Sequence, residues 1–151
     1  MKVAFDTSVL VAGLHRAHPH HARAVVWIDA VAEGRATGLI TCHALAELWS
    51  VLTRLPGAAL TSPAQALQIV GRVRGVFEVR PLETAGYDEA LQRCTDRGLT
   101  SGVVFDALHL VSAEHAAADA LVTFNGADFL RLIVPTSPRI AVPKDPPEFA
   151  P

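Results

Sequence analysis

The stretch MKVAFDTSVL, residues 1–10, decides the fold. Val3, Ala4 and Phe5 are a short apolar run that stops at Asp6, Thr7 and Ser8. It reads as a buried strand delivering a carboxylate and two hydroxyls to its carboxyl end. Val9, Leu10, Val11 and Leu14 resume the apolar pattern at helical spacing, which puts Asp6 in a strand-to-helix turn. In open α/β sheets, ligands bind beyond the carboxyl ends of the strands. Acids that follow neighbouring strands would therefore meet Asp6.

Outward from this stretch, strand and helix patterns alternate. A helix is expected over His21–Gly34, a strand over Thr37–Thr41, and a turn at Cys42 and His43. A helix over Ala44–Leu55 follows, stopped by Pro56-Gly57. The next helix runs from a Ser62-Pro63 start to Gly75 and leads into a strand over Val76–Val79. Further helices are expected from Thr84 to Arg97, closed by Gly98, and from about Val103 to Ala118. A strand over Ala120–Phe124, a short helix over Asp128–Leu132 and a strand over Arg139–Val142 complete the series. Such alternation predicts an α/β class with a mostly parallel sheet. One domain is expected over residues 1–142. Four prolines in the last nine residues make 143–151 a loose tail.

Composition narrows the function. The chain has 151 residues, half of them hydrophobic, and a formal charge of −2. Without a lysine- or arginine-rich run, a polyanion would need local arginines or a bound cation to hold it. Cys42 and Cys94 form no CxxC pattern and read as reduced thiols. No apolar run reaches membrane-spanning length, and Asp6 interrupts the place of a signal peptide's apolar stretch, so a cytoplasmic protein is expected. There is no GxGxxG after the first strand and no GxxxxGK[ST], which argues against nucleotide cofactors. An aspartyl phosphatase would want a second Asp where Ser8 stands. A receiver domain would want an Asp on the third strand, which has none.

Most of the fifteen acids fall on polar helix faces. Four do not. Asp6 ends the first strand, Glu47 lies in an apolar helix after the second, and Asp128 follows the fourth. Asp106 sits inside VVFDALHLV, early in a helix whose dipole favours an ionised carboxylate. Singly, Glu47 or Asp106 could cap a helix or pair with an arginine such as Arg54. Together they suggest a shared crevice, where clustered carboxylates need a cation. Oxygen donors without thiolate or histidine favour Mg²⁺ or Mn²⁺ over zinc. Such an ion activates water and neutralises a phosphodiester.

Four segments carry a family resemblance: FDTSVL at 5–10, HALAEL at 43–48, VVFDALHLVSA at 103–113 and LVTFNGADF at 121–129. In order, they resemble the four motifs of PIN-domain ribonucleases, over Val3 to Leu132, and are most similar to the VapC-type toxins of bacterial toxin–antitoxin pairs. The resemblance implies a three-layer fold, a mostly parallel central sheet flanked by helices. It also implies Mg²⁺- or Mn²⁺-dependent endonucleolytic cleavage of RNA, a cognate antitoxin and a homodimer. It makes Asp6, Glu47 and Asp106 metal-binding acids, with Thr7, Ser8 and Thr123 as hydroxyls that orient carboxylates or waters.

The sequence departs from the family pattern at Asn125, where many members have Asp. Related toxins show the same N-x-x-D arrangement, and Asp128, three residues on, is the expected fourth acid. Asn125 is left to bond a metal-held water. Arg54, two turns beyond Glu47, is the candidate for substrate phosphate. His18, His20 and His21 read as a solvent-facing loop, and His109 as a core or supporting histidine rather than a general base. His43, four residues before Glu47, carries no assignment. Trp27 and Trp49 read as packing residues. A second reading keeps the fold without catalysis: a weak or inactive module binding RNA or protein, favoured by Asn125.

Overall fold

The computed structural model describes residues 1–55 and 61–150. The strands are β1 (Lys2–Phe5), β2 (Thr37–Thr41), β3 (Glu78–Arg80), β4 (Ala120–Val122) and β5 (Arg139–Ala141). They form one sheet in the order β3-β2-β1-β4-β5, every pair parallel. The chain steps outward from β1 through β2 to β3, then returns to β1's other side for β4 and β5. The order therefore reverses at β1, and a crevice opens beyond the carboxyl ends of β1 and β4.

The helices are α1 (Thr7–Leu14), α2 (His21–Ala32), α3 (Cys42–Leu52), α4 (Pro63–Val76), α5 (Thr84–Asp96), α6 (Val103–His115) and α7 (Gly126–Leu130). They cover both faces of the sheet, so the strands are apolar on both sides. Val3, Phe5, Ile40 and Val122 join one core with Leu10, Trp27 and Leu48, while Ala4, Leu39 and Leu121 join the other with Leu110, Val111 and Phe129. No helix among the described residues is long and apolar enough to cross a membrane.

Several boundaries differ from the sequence expectation, for local reasons. Cys42 and His43 are helical, because Thr41 is the cap: its Oγ1 accepts the Ala44 N–H at 2.8 Å. Likewise α1 starts at Thr7 rather than Val9. The expected Pro56-Gly57 stop lies outside the described residues, but α3 already ends at Leu52. Ser62 and Gln65 form a full capping box at the start of α4. That helix runs on to Val76, so β3 starts two residues later than the alternation suggests. Gly38 gives β2 the room it needs, since a Cβ there would stand 2.5 Å from Phe77 and 2.8 Å from Val31. At the far end, Phe149 packs edge-on against Trp27 (centroids 5.1 Å apart), with the Arg35 guanidinium 5.3 Å from its ring centre. The segment expected to be loose is thus seated on α2 at Phe149.

Candidate metal centre

Asp6 leaves the sheet at its centre. Its N–H still donates to the Val122 carbonyl at 3.1 Å, and only 4% of the residue is exposed. Its Oδ2 accepts two hydroxyls, from Ser8 and, at 2.7 Å, from Thr123. Thr123 in turn accepts the Asn125 N–H at 2.8 Å, and Ser8 Oγ accepts the Phe124 N–H at 3.1 Å. One carboxylate oxygen is therefore fixed by the β4–α7 turn, and Oδ1 is the one left over.

Glu47 reaches the same place from the middle of α3. Its Oε2 accepts the Thr7 hydroxyl at 2.6 Å and His109 Nε2–H at 2.8 Å, while Oε1 lies 3.5 Å from His43 Nε2. His109 is buried on α6, with Nδ1 3.2 Å from Thr41 Oγ1 and Nε2 3.9 Å from Asp6 Oδ1. Since a carboxylate only accepts, the His109 proton facing Glu47 is on Nε2. Asp106, in the first turn of α6, makes no hydrogen bond or ion pair among the described residues.

Electrostatics separates Asp106 from Glu47. Burial raises the Asp106 pKa, the Asp6 charge raises it further, and Asp128 and Glu47 add to this against the opposing His109, so the carboxyl is pushed up to about 7. For Glu47, burial acts upward but is outweighed by the hydrogen bonds from His109 and Thr7, and its pKa is lowered. For His109, burial disfavours the cation, yet the Glu47 bond and the charges of Asp6, Glu47 and Asp106 raise its pKa. The site thus has an excess of negative charge around Asp106 that His109 does not neutralise.

A hard divalent cation would offset that excess. The donors are carboxylate oxygens, the set suited to Mg²⁺ or Mn²⁺. As the side chains stand, no three His, Cys, Asp or Glu among the described residues form a closed ligand group. An ion that keeps several waters does not require one.

A cleft of about 750 Å³ brings together Asp6, Thr7, Ser8, Glu47, Asp106 and Asn125, with Thr123 buried beneath it. Two expected site residues lie elsewhere. Asp128 is half exposed, pairs with Arg131 at 3.3 Å and is not part of the lining, although its charge reaches Asp106. Arg54 is exposed beyond the end of α3, also outside the lining. Conversely, His18, Pro19, His20, Phe105 and Phe124 also line the cleft, so the histidine loop faces the cleft as well as solvent. Sequence reasoning did not foresee the Thr41–His109–Glu47 chain. Its signal was the placing of His109 three residues after Asp106 on one helix face.

Known proteins resemble the chain in sequence and in fold. The sequence profile of the PIN domain matches residues 3–133. Ribonuclease VapC27 of Mycobacterium tuberculosis is 38% identical over 117 residues, spanning 76% of this chain and 80% of that protein. Ribonuclease VapC40 of the same species is 33% identical over 119 residues, covering 79% and 84%. In fold, the chain is similar to the Mycobacterium tuberculosis sarcin–ricin loop-cleaving toxin VapC20, with a TM-score of 0.69 at 18% identity over 90% of this chain and 99% of that one. It is also similar to VapBC2 of Rickettsia felis, solved on a promoter DNA fragment, with a TM-score of 0.68 at 21% identity over 94% and 98%. With Asp6, Glu47 and Asp106 gathered at the reversal point of a five-stranded parallel sheet, the chain belongs to the PIN-domain family.

Proposed function

We propose that the chain is a divalent-metal-dependent endoribonuclease, the toxin of a toxin–antitoxin pair, acting in the cytoplasm as a homodimer silenced by a cognate antitoxin protein. The observation that carries this is the unbalanced negative charge of the cleft: Asp6, Glu47 and Asp106 line it together, and burial with the Asp6 charge pushes the Asp106 carboxyl up to about 7. The ribonuclease names of the two curated relatives support the RNA substrate, and the VapBC assemblies among the fold neighbours support the antitoxin.

Asp6, Glu47 and Asp106 would hold Mg²⁺ or Mn²⁺, which supplies an activated water and neutralises the phosphodiester under attack. Ser8 and Thr123 fix Asp6 so that Oδ1 is its available oxygen. Thr7 and His109 do the same for Glu47, leaving Oε1. His109 keeps its proton at Nε2 against Glu47 and so holds that carboxylate ionised. Asn125 stands in the cleft to bond a water or a phosphate oxygen. Asp128 acts on the site through its charge.

The test is cleavage of total tRNA and rRNA by the purified protein with Mg²⁺ or Mn²⁺, alongside EDTA and an Asp6→Asn/Asp106→Asn double variant. Discrete products that vanish in both controls are expected. Identical patterns from wild type and double variant would remove the catalytic reading. The presence of Asn125 rather than an acid in the lining favours the second reading, a PIN-fold module that binds RNA or protein without cutting. Hydrolysis abolished by Asp106→Asn excludes it.

A further inference from the structure

One hydroxyl serves two elements of the cleft. Thr41 ends β2 opposite Arg80 of β3, so the ladder holds its backbone, and only 6% of the residue is exposed. Its Oγ1 accepts the Ala44 N–H at 2.8 Å and so caps α3, the helix that carries Glu47. The same oxygen lies 3.2 Å from His109 Nδ1. His109 comes from α6, and its other nitrogen, Nε2, bonds Glu47 Oε2 at 2.8 Å. A hydroxyl can donate to a ring nitrogen or accept from one, so the Thr41 contact holds in either charge state of the ring.

The ring needs such an anchor. Its Nε2 stands 3.9 Å from Asp6 Oδ1, so a second acid lies within a small swing of the first. Oδ1 is the Asp6 oxygen that Ser8 and Thr123 leave free, and a proton shared with it would compete with an ion. Packing does not clamp the ring. A cavity of about 10 Å³ lies between α6 and the sheet, lined by Phe5, Thr41, His109, Ser112 and Leu121 among others. Close packing therefore does not by itself fix the imidazole, whereas a hydrogen bond at each nitrogen does.

Resting on the metal-site reading above, we propose that Thr41 is a positioning residue of the metal centre. Its hydroxyl anchors His109 at Nδ1, so that Nε2–H is directed at Glu47 and Asp6 Oδ1 stays free for the ion. Thr41 touches neither ion nor RNA and acts through His109. Partners of this kind orient groups at a metal centre and change its affinity without binding the ion themselves.

The test separates this role from helix capping. Mn²⁺ affinity by isothermal titration, melting temperature and the His109 ring N–H resonance are measured on the full chain and its variants. Thr41→Val should weaken Mn²⁺ binding about 3- to 10-fold, the effect of one hydrogen bond in a supporting contact. Thr41→Ser should restore it. His109→Gln presents an amide N–H towards Glu47 but nothing to Thr41. In that background Thr41→Val should lose no further affinity, while the missing cap lowers the melting temperature in both backgrounds alike. The Nε2–H resonance, sharp and downfield in wild type and Thr41→Ser, should broaden in Thr41→Val. Unchanged affinity in Thr41→Val overturns the proposal. An equal affinity loss in the His109→Gln background also overturns it, by making Thr41 a helix cap and no more. In the wild type alone, a rapidly exchanging Nε2–H without a downfield shift overturns it whatever the variants do. Failure of the nuclease reading looks different: Mn²⁺ binds, Thr41 governs its affinity, and the wild type leaves RNA uncut. No Mn²⁺ binding by the wild type overturns both.

Discussion

Two groups of buried charge invite comparison. Between α5 and α6, Arg93 and Glu114 each expose only 8% of their side chains. Both Arg93 terminal nitrogens donate to Glu114, each at 2.8 Å, a fork that matches the carboxylate plane. Glu89 accepts from Arg93 at 2.6 Å, His115 lies 2.9 Å from Glu89, and Ser137 bonds Glu114. The Glu114 bond leads the other influences on Arg93, and its pKa is raised. At the cleft, three carboxylates face one buried histidine and no arginine among the described residues. Where the chain supplies the counter-charge, the cluster holds helices together. Where it withholds one, the cluster keeps unbalanced negative charge, which is the basis of the proposed metal site.

Removing Arg93 would turn the first cluster into a copy of the second. Arg93→Ala strands a buried Glu114, and an unfolding free energy lower by about 3–5 kcal/mol is expected in denaturant titration. Activity per folded molecule should be unchanged. The cleft acids should behave in the opposite way. Asp106→Asn is expected to cut RNA cleavage by about 10²–10³-fold, the several kcal/mol that an ion contributes to such a step, while the melting temperature does not fall.

Supporting contacts come next. Thr123→Val keeps the shape but drops the hydroxyl bonded to Asp6, and about 10- to 100-fold in cleavage or metal affinity should go with it. Isothermal titration with Mn²⁺ reads the latter directly.

The smallest effect is a pH slope. The folded pKa of Asp106, about 7, lies above its ordinary 3.8, so the native state holds an extra proton between these values. The metal-free protein should therefore lose stability as pH rises from about 4 to 7, by about 1–2 kcal/mol after solvent screening. Glu47, with its lowered pKa, acts the other way at the acid end, so the slope is read as the difference between wild type and Asp106→Asn in EDTA. Saturating Mg²⁺ should abolish that difference.

Much of this was legible in the chain because it depends on short-range pattern. An apolar run ending in Asp6 requires a buried strand, and a carboxylate at Glu47 or Asp106 amid apolar neighbours requires a reason. Parallel order followed from strand–helix alternation. What escaped depends on contacts made across the fold. The His109–Glu47 bond joins residues 62 positions apart, and no periodicity announces it. Asp128 was expected beside Asn125 by helical spacing, but Asn125 is the non-helical cap of α7 (φ −100°, ψ 39°). The three-residue rule therefore does not carry from one to the other. That His18 and His20 line the cleft depends on how a loop folds back, which local composition does not encode.

The pairing of β1 with β4 sets Phe5 opposite Val122, so that the next residues, Asp6 and Thr123, meet at the hydroxyl bond. A slip of this ladder by one residue would exchange the two cores' side chains along β4 and, in the same movement, part Thr123 from Asp6. Misregistered chains are therefore both poorly packed and without an ordered Asp6, so that the acidic cleft is complete only on molecules that have finished folding.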